Sequence, residues 1–294
     1  MMRSFLFVPG DAPRKFEKAR AGEADALILD LEDSVAATAK VTARGTVADM
    51  LDAPRDEPRN EPGDGPALFV RVNALDTGMT LDDLAAIMPH RPDGIALPKC
   101  QGPDDLNRVA HYLAAFEAAH DLPPTPIIAI ATETAASLFT LGNYAGCDER
   151  LWGMMWGAED LSADLGAREN GAREGFHEPF RLARNLCLAG AAAAGVVAID
   201  TICAVLDDFD VVTREAREAR RDGFGAKAVI HPKHVAPVNT AFTPTEEELA
   251  WAKKVLAAFA ADPGAGVVRI DGQMIDKPHE RAAQKIMATA GGTS

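Results

Sequence analysis

Residues 126–165, PIIAIATETAASLFTLGNYAGCDERLWGMMWGAEDLSADL, carry the pattern from which the rest of the chain can be read. They hold two apolar runs of strand length, 127–131 and 151–156, and a helix-length segment between them at 134–141. Glu133 follows the first run and Asp160 follows the second. Because sites in parallel sheets and barrels form at the carboxyl ends of the strands, these acids are the first candidates for chemistry. Metal binding is the chemistry that they favour.

Six further apolar runs extend the pattern, at 5–8, 26–31, 67–72, 94–97, 196–199 and 226–230. Most are almost continuously apolar, which is typical of parallel strands covered on both faces. Segments at 11–21, 35–51, 81–88, 104–119, 180–194 and 213–222 predict intervening helices, with Asp11 and Asp104 as N-caps. Eight such alternations favour an α/β fold closed as a (β/α)8 TIM barrel over an open doubly wound sheet.

Composition and charge argue against several classes of protein. The 294 residues are 47% hydrophobic and carry a net charge of −14, which argues against nonspecific binding to nucleic acid or to an anionic membrane. The four cysteines form no C-x-x-C pair, as expected for reduced thiols in a cytoplasmic protein. The apolar run near the N-terminus is too short for a signal peptide, and no run has membrane-spanning length.

The sequence divides into a catalytic barrel at 1–242 and a C-terminal helix and lid segment at 243–294. Within the barrel, residues 52–66 contain four prolines and two glycines, which predicts an exposed loop that serves as a spacer. In the tail, Thr243 to Glu246 is interpreted as a capping box that opens an amphipathic helix, and Asp262-Pro263-Gly264 ends it.

The last part of the tail predicts a helix-hairpin-helix lid. Asp271-Gly272 lies between short apolar runs, which is the pattern of a type I′ hairpin, and a short helix is predicted at 279–288. A segment of this length is too small for a core of its own, so we expect it to pack on the barrel or on a neighbouring subunit.

The other strand ends also carry polar side chains: Asp30, Glu32, Asp33, Arg71, Lys99, Asp200 and His231. Carboxylates gathered at one end of a barrel repel one another unless a cation neutralises them, and an all-oxygen donor set suits Mg²⁺. The seven histidines form no H-x-x-x-H pair, so zinc is not favoured.

Each candidate also has a purely structural interpretation. Glu133 and Asp160 could be N-caps, the second for a helix that begins at Leu161. Arg71 could pair with the acids at 30–33, although a bidentate clamp on a substrate carboxylate is favoured. For Lys99 and His231 a structural or solvent-facing role is favoured.

A basic patch lies on the first predicted helix and comprises Arg14, Lys15, Lys18 and Arg20. The spacing of the first three places them on one helix face, where they could hold the phosphates of a cofactor. Taken alone, a solvated helix face is the favoured interpretation.

Nine motifs occur in order along almost the whole chain: RSFLFVPGD, DALILDLEDSV, FVRVN, GIALPK, IAIATETA, MWGAEDLSADLG, AIDT, GAKAVIHPKHV and DGQMIDKPH. Together they resemble the citrate lyase beta-subunit-like proteins of the HpcH/HpaI aldolase group. The resemblance implies a Mg²⁺-dependent TIM barrel that assembles as a trimer or hexamer. It also implies the making or breaking of carbon–carbon bonds in citryl, citramalyl or malyl thioesters of coenzyme A or of an acyl carrier.

The resemblance also implies roles for individual residues. Glu133 and Asp160 match the two Mg²⁺ ligands of the family, and Arg71 matches the arginine that contacts the keto-acid half of the substrate. Glu32 and Asp33 match acids that hold metal-bound water. Asp276 matches the acid of a C-terminal lid that reaches the site of a neighbouring subunit. Arg14, Lys15 and Lys18 lie where the family contacts coenzyme A.

The function implied is therefore a Mg²⁺-dependent carbon–carbon lyase, a cytoplasmic homotrimer in the simplest case. Such an enzyme cleaves a 3-hydroxyacyl-CoA thioester into acetyl-CoA and a 2-keto acid by retro-Claisen chemistry. The alternatives are a malyl-CoA thioesterase, an aldolase acting on free keto acids, and the beta subunit of a carrier-protein-dependent citrate lyase complex. Because the chain keeps the full lid, a self-sufficient CoA enzyme is favoured over the last of these.

Overall fold

The computed structural model describes residues 2–54 and 65–291. Eight parallel strands close into a barrel, as the sequence predicts. They are β1 Ser4–Pro9, β2 Ala26–Asp30, β3 Ala67–Arg71, β4 Gly94–Leu97, β5 Ile127–Ile130, β6 Leu151–Met155, β7 Val197–Asp200 and β8 Ala226–Val229. Each strand pairs with its neighbours in sequence, and β8 closes the ring against β1. The fold is therefore a (β/α)8 TIM barrel rather than an open sheet.

In the described part of the chain, ten helices surround or extend the barrel. They are α1 Pro13–Arg20, α2 Lys40–Leu51, α3 Thr80–Ile87, α4 Pro103–His120, α5 Glu159–Asp164, α6 Glu178–Ala194, α7 Phe209–Asp222, α8 Val235–Phe242, α9 Glu246–Ala261 and α10 Lys277–Gly291. The two-residue strands Gly171–Ala172 and Gly175–Phe176 form a small hairpin between α5 and α6. In the described parts of the chain, no helix has both the length and the apolar character needed to cross a membrane.

Apolar side chains fill two layers. Inside the barrel, Phe5 and Phe69 meet edge to face with ring centroids 5.7 Å apart. The ring of Phe69 lies so close to Gly94 that a Cβ there would be 2.2 Å from it, so only glycine fits at this point of β4. Outside, the continuous apolar faces of the strands pack against the helices in one large cluster. The barrel interior is thus a packed core, and open space remains at its mouth.

The predicted N-caps Asp11 and Asp104 are wrong. Helices α1 and α4 begin at Pro13 and Pro103, and neither preceding residue caps through its side chain. Proline at the first helical position fixes the backbone for helix entry and has no amide to be capped.

The helix predicted at 134–141 is replaced by two 3-10 segments, Ala136–Phe139 and Leu141–Asn143. The hydroxyl of Ser137 donates to the carbonyl of Thr134 at 2.7 Å, and the hydroxyl of Thr134 accepts from the amide of Ser137 at 3.2 Å. Such local side-chain bonds compete with the helical ladder. Helix α8, which follows the last barrel strand, was not predicted from the sequence.

The capping box of α9 lies two residues later than predicted, with Thr245 and Glu248 as its two partners. Thr243 cannot serve, because its hydroxyl donates to the carbonyl of Asn239 at 2.7 Å and so ends α8. The predicted hairpin is confirmed as β9 Val267–Ile270 and β10 Gln273–Asp276, with positive φ at both Asp271 (48°) and Gly272 (81°).

The tail buries a small apolar cluster of its own, contrary to the expectation that it has none. Its buried members come from α9, the hairpin and α10: Ala252, Val255, Phe259, Ile270, Ile275 and Ala283. The division of the chain at 242/243 stays a prediction. Most of the proline-rich loop predicted at 52–66 lies outside the described residues.

Candidate active site

A cavity of about 560 Å³ opens at the carboxyl ends of the barrel strands. Its wall combines apolar side chains of the strand ends with Asp30, Arg71, Glu133 and Asp160. This is the face on which sites of (β/α)8 barrels form. The sequence therefore placed its principal candidates on the correct rim.

Glu133 lies just past β5 and is 4% exposed. Its Oε2 accepts a hydrogen bond from the backbone amide of Lys99 at 2.6 Å. Burial, reinforced by the neighbouring charges of Asp160 and Glu32, raises the pKa of Glu133 to about 8. Arg71 opposes this shift but does not outweigh it, and a cation bound directly to the carboxylate would favour its ionised form.

Gly157 provides the space for the Glu133 side chain. A Cβ at position 157 would lie 2.9 Å from Cγ and 3.3 Å from Oε1 of Glu133. Any larger residue would therefore displace the carboxylate. This glycine belongs to a motif that was recognised in the sequence. Its role, which is to leave room for the Glu133 side chain, follows only from the close approach of the two strand ends.

Asp160 lies in the first turn of α5, and its side chain is 32% exposed. Neither acid is an N-cap: Ala158 precedes α5, and Ala135 precedes the first helical turn after Glu133. The capping alternative is therefore wrong for both acids, as is the start of the second helix at Leu161.

Lys99 lies in the middle of the acidic residues rather than facing solvent. Its Nζ is 2.5 Å from Glu32 Oε1, 3.2 Å from Asp33 Oδ2 and 3.2 Å from Asp160 Oδ1. Burial opposes the charged form, but the hydrogen bond to Glu32 and the surrounding carboxylates outweigh it and raise the pKa of Lys99. Lys99 is thus a permanent cation of the site, which the sequence interpretation undervalued.

Arg71 makes the structural contacts that the sequence left open as an alternative. Its Nε and Nη2 donate to the two oxygens of Asp30 at 2.7 and 2.8 Å, and Nη1 lies 2.9 Å from Glu32 Oε2. The register of β2 and β3 sets Asp30 beside Arg71, so this pairing follows from the sheet itself. Although burial favours the neutral acid, the guanidinium lowers the pKa of Asp30. Arg71 also lines the cavity, so a ligand there meets a rigidly held cation.

The predicted cofactor contacts divide into two groups. Lys15 and Lys18 on α1 line the cavity, as does His231 past β8. Arg14 is exposed on the same helix and is not among the lining residues. The Nδ1 of His231 accepts from the amide of Lys233 at 3.2 Å, which leaves Nε2 as its available polar atom.

Asp276 and Asp200 lie away from the cavity wall. Asp276 ends β10 at an exposed position, where its hydrogen bond with His279, at 2.5 Å, lowers its pKa. A catalytic role for Asp276 thus requires the site of another chain and stays a prediction. Asp200 ends β7 but turns outward to Lys227, Arg184 and Trp156.

The donor set fits a hard divalent cation. Within residues 2–54 and 65–291, no three Asp, Glu, His or Cys side chains converge as a complete metal cage. Two carboxylates with further oxygens from water or ligand are nevertheless what Mg²⁺ commonly uses. The observation that supports the fit is Glu133, which is buried without an ion-pair partner in the part of the chain described here.

A (β/α)8 barrel with surplus carboxylates at its mouth is typical of metal-assisted barrel enzymes. The family model for HpcH/HpaI aldolase/citrate lyase matches residues 3–232. The chain belongs to this family, and it is accordingly an enzyme of the lyase class.

The chain is also similar to known proteins over almost its whole length. A citrate lyase subunit beta-like protein of Mycobacterium tuberculosis is 34% identical over 98% of this chain and 95% of its own length. A (3S)-malyl-CoA thioesterase of Cereibacter sphaeroides is 33% identical over 98% of this chain and 94% of its own length. The crystal structure of CitE from M. tuberculosis in complex with magnesium, acetoacetate and coenzyme A superposes with a TM-score of 0.78 at 33% identity, covering 99% and 98% of the two chains.

Proposed function

We propose that this chain is a Mg²⁺-dependent carbon–carbon lyase. Its substrate is a 3-hydroxyacyl-CoA thioester of the malyl, citramalyl or citryl type, and its products are acetyl-CoA and a 2-keto acid. The observation that carries the proposal is the buried, unpaired carboxylate of Glu133 beside Asp160 in a cavity that also holds Arg71. The relative crystallised with magnesium and coenzyme A supports the choice of metal and thioester.

Glu133 and Asp160 would hold the metal. When bound, Mg²⁺ supplies Lewis acidity toward the substrate hydroxyl, which favours its deprotonation. Arg71 faces the same cavity, and its remaining N–H groups orient the carboxylate of the keto-acid half. The ion pairs of Arg71 with Asp30 and Glu32 fix the guanidinium before the substrate arrives, which is the preorganisation that electrostatic stabilisation requires.

Lys15 and Lys18 are the proposed contacts to the phosphates of coenzyme A. Both side chains lie on α1 at the cavity, and the ammonium groups would meet an anionic ligand at its open side. Arg14, one turn earlier on α1 than Lys18, extends the same basic surface. Cleavage leaves the acetyl-CoA half as an enolate, and Arg71 is the nearby cation of this chain that favours the developing negative charge.

Asp276 is the proposed group that returns a proton to this enolate: as a carboxylate it takes up the proton released by the substrate hydroxyl and then donates it to the enolate carbon. Because Asp276 does not line the cavity of its own chain, it would act in the site of a second copy, in a homotrimer or hexamer. The lid at 243–294, a separate unit from the barrel at 1–242, would then exclude water at that step. Reduced cysteines are consistent with a cytoplasmic location.

The test is to incubate the purified chain and Mg²⁺ with malyl-, citramalyl- and citryl-CoA and to identify the products by mass. We expect acetyl-CoA and glyoxylate, pyruvate or oxaloacetate from one of the three, and no turnover in EDTA. Cleavage by the isolated chain excludes the carrier-dependent subunit. Absence of acetyl-CoA with all three thioesters would contradict the proposal.

A thioesterase is the second candidate, because a relative of comparable similarity is named (3S)-malyl-CoA thioesterase. Admission of water to the same metal site would release free CoA instead of acetyl-CoA. The ratio of free CoA to acetyl-CoA, measured in the first seconds of turnover on malyl-CoA, distinguishes the two activities.

A further inference from the structure

Lys99 contacts every acid of the proposed metal site. Its ammonium group lies within 3.2 Å of carboxylate oxygens of Glu32, Asp33 and Asp160. Its backbone amide donates to Glu133. Lys99 therefore touches both candidate metal ligands, one through its side chain and one through its backbone.

The backbone of Lys99 is in the left-handed region, with φ at 50°. Side chains other than glycine and asparagine rarely adopt this conformation, and it persists where surrounding contacts hold it. Here the contacts that hold it are the bonds to the four acids. In this conformation the amide donates to Glu133 while the ammonium group lies among Glu32, Asp33 and Asp160.

The acids at the mouth outnumber the cations that pair with them, even with Lys99 included. The five acids are Asp30, Glu32, Asp33, Glu133 and Asp160, and the two cations are Arg71 and Lys99. The guanidinium of Arg71 is engaged by Asp30 and Glu32. Lys99 is thus the cation that neutralises Asp160 and Asp33, and a divalent ion that binds Asp160 meets its positive charge at close range.

We propose that Lys99 is the internal counter-cation of the metal-free site and sets its affinity for the metal. In the metal-free protein the ammonium group holds Asp160 against Glu32 and Asp33. Metal binding draws Asp160 away from Lys99, which keeps its bonds to Glu32 and Asp33. The inference rests on the proposed function, since it assigns the metal to Glu133 and Asp160. Lys99 in this role is a positioning residue rather than a catalytic one.

The experiment measures Mn²⁺ binding to the full chain by electron paramagnetic resonance, without any substrate. Lys99→Met and Lys99→Gln remove the charge, and Lys18→Met removes a lysine that lines the cavity and pairs with no carboxylate of the site. We expect Mn²⁺ to bind about tenfold tighter or more in both Lys99 variants, because a unit charge 3.2 Å from a ligand no longer opposes the metal. Lys18→Met should change affinity by less than about twofold.

Thermal melting gives a second readout. The metal-free Lys99 variants should melt below the wild type, and the difference should disappear at saturating Mn²⁺. Unchanged or weaker Mn²⁺ binding in both variants would overturn the inference, and so would failure of both to fold even at saturating Mn²⁺. If the wild type binds no Mn²⁺, the metal assignment of the proposed function fails instead, which is a different result.

Discussion

Two ionic clusters lie at neighbouring strand ends of the same barrel. The mouth cluster comprises Asp30, Glu32, Asp33, Arg71, Lys99, Glu133 and Asp160. The outer cluster comprises Trp156, Arg184, Asp200, Glu215 and Lys227. Asp30, Arg71, Glu133 and Asp160 of the mouth cluster line the cavity, whereas the charged groups of the outer cluster lie between strands β7 and β8 and helices α6 and α7. Their difference lies in charge balance.

In the outer cluster each charge has its complement. Asp200 accepts from Lys227 Nζ at 2.7 Å, from Arg184 Nε at 3.1 Å and from Trp156 Nε1 at 2.7 Å. Burial opposes ionisation, yet the two cations lower the pKa of Asp200. Glu215 approaches Lys227 from α7 at 3.4 Å, and Asp222, which also pairs with Arg221, contacts Arg184 at 2.8 Å, so three acids face three bases.

In the mouth cluster burial is not outweighed at every acid. Glu133 is as inaccessible as Asp200, and burial, reinforced by the charges of Asp160 and Glu32, raises its pKa to about 8. Burial alone therefore does not mark a site. A buried carboxylate whose charge is not balanced does mark a site. Burying it costs free energy, and a bound cation removes that cost.

The largest expected effect is on catalysis, from Glu133→Gln. We expect the turnover of the best acyl-CoA substrate to fall about 1,000-fold, since the loss of one metal ligand forfeits several kcal/mol of charge stabilisation. The metal-free variant should melt no lower than the wild type, because it no longer buries an unbalanced acid. Steady-state kinetics measure the loss of turnover, and thermal melting measures the stability of the metal-free variant. Near wild-type turnover in Mg²⁺ would remove Glu133 from the metal site.

The outer cluster should respond in the opposite way. Asp200→Asn leaves Lys227 and Arg184 buried without their carboxylate, and we expect a loss of about 3–5 kcal/mol in the free energy of unfolding, measured by urea denaturation. Mn²⁺ affinity of the folded variant should stay within about twofold of the wild type, since the cluster does not face the cavity. Asp222→Asn is the matched control. It removes a partly exposed partner of Arg184 and should cost less than about 1 kcal/mol. Similar losses for the two variants would contradict the distinction between the clusters.

Gly157→Ala tests the packing of the mouth. The new Cβ would lie 2.9 Å from Glu133 Cγ, so the carboxylate must shift, and we expect Mn²⁺ affinity to fall about tenfold. Gly142→Ala adds the same methyl where no atom lies within 4 Å and should leave affinity unchanged. Equal affinities in the two variants would show that Glu133 does not need its present position.

The last expected effect is a dependence of stability on pH. The pKa of Glu133 is about 8 in the folded, metal-free protein against 4.5 for the unperturbed group, so between these values the folded state binds more protons. The stability of the metal-free protein should therefore fall as pH rises from about 4.5 to about 8. Melting temperatures recorded from pH 5.5 to 8.5 in EDTA check this, and Glu133→Gln should flatten the profile. The lowered pKa of Asp200 places its contribution to the pH dependence at acid pH, below this window.

Much of the architecture followed from local pattern. The eight apolar runs predicted all eight strands, and the positions of Asp30, Arg71, Glu133 and Asp160 at strand ends placed them on the rim where the structure has them. The way in which individual helices begin did not follow from the local pattern. Pro13 and Pro103 displaced both predicted aspartate caps, and the hydroxyls around Ser137 converted a predicted helix into 3-10 turns.

The outcome for Asp200 shows a limit of strand-end counting. It is the last residue of β7, whereas Glu133 lies three residues past the end of β5, and the side chain of Asp200 points to the helices. Successive side chains of a strand alternate between its two faces, so a displacement of one residue moves an acid from the cavity to the helical layer. The register of the whole barrel sets that position.

The amino-acid sequence by itself determined the closed barrel, the rim that carries the acids and the family, because apolar periodicity and ordered motifs are local properties of the chain. Only the folded structure shows the role of Lys99 and the need for glycine at position 157. Lys99 meets Glu32, Asp33 and Asp160, which lie more than 60 residues away on either side, and a left-handed backbone aims it there. Charge balance depends on distances between such groups, and those distances exist only once the barrel has closed.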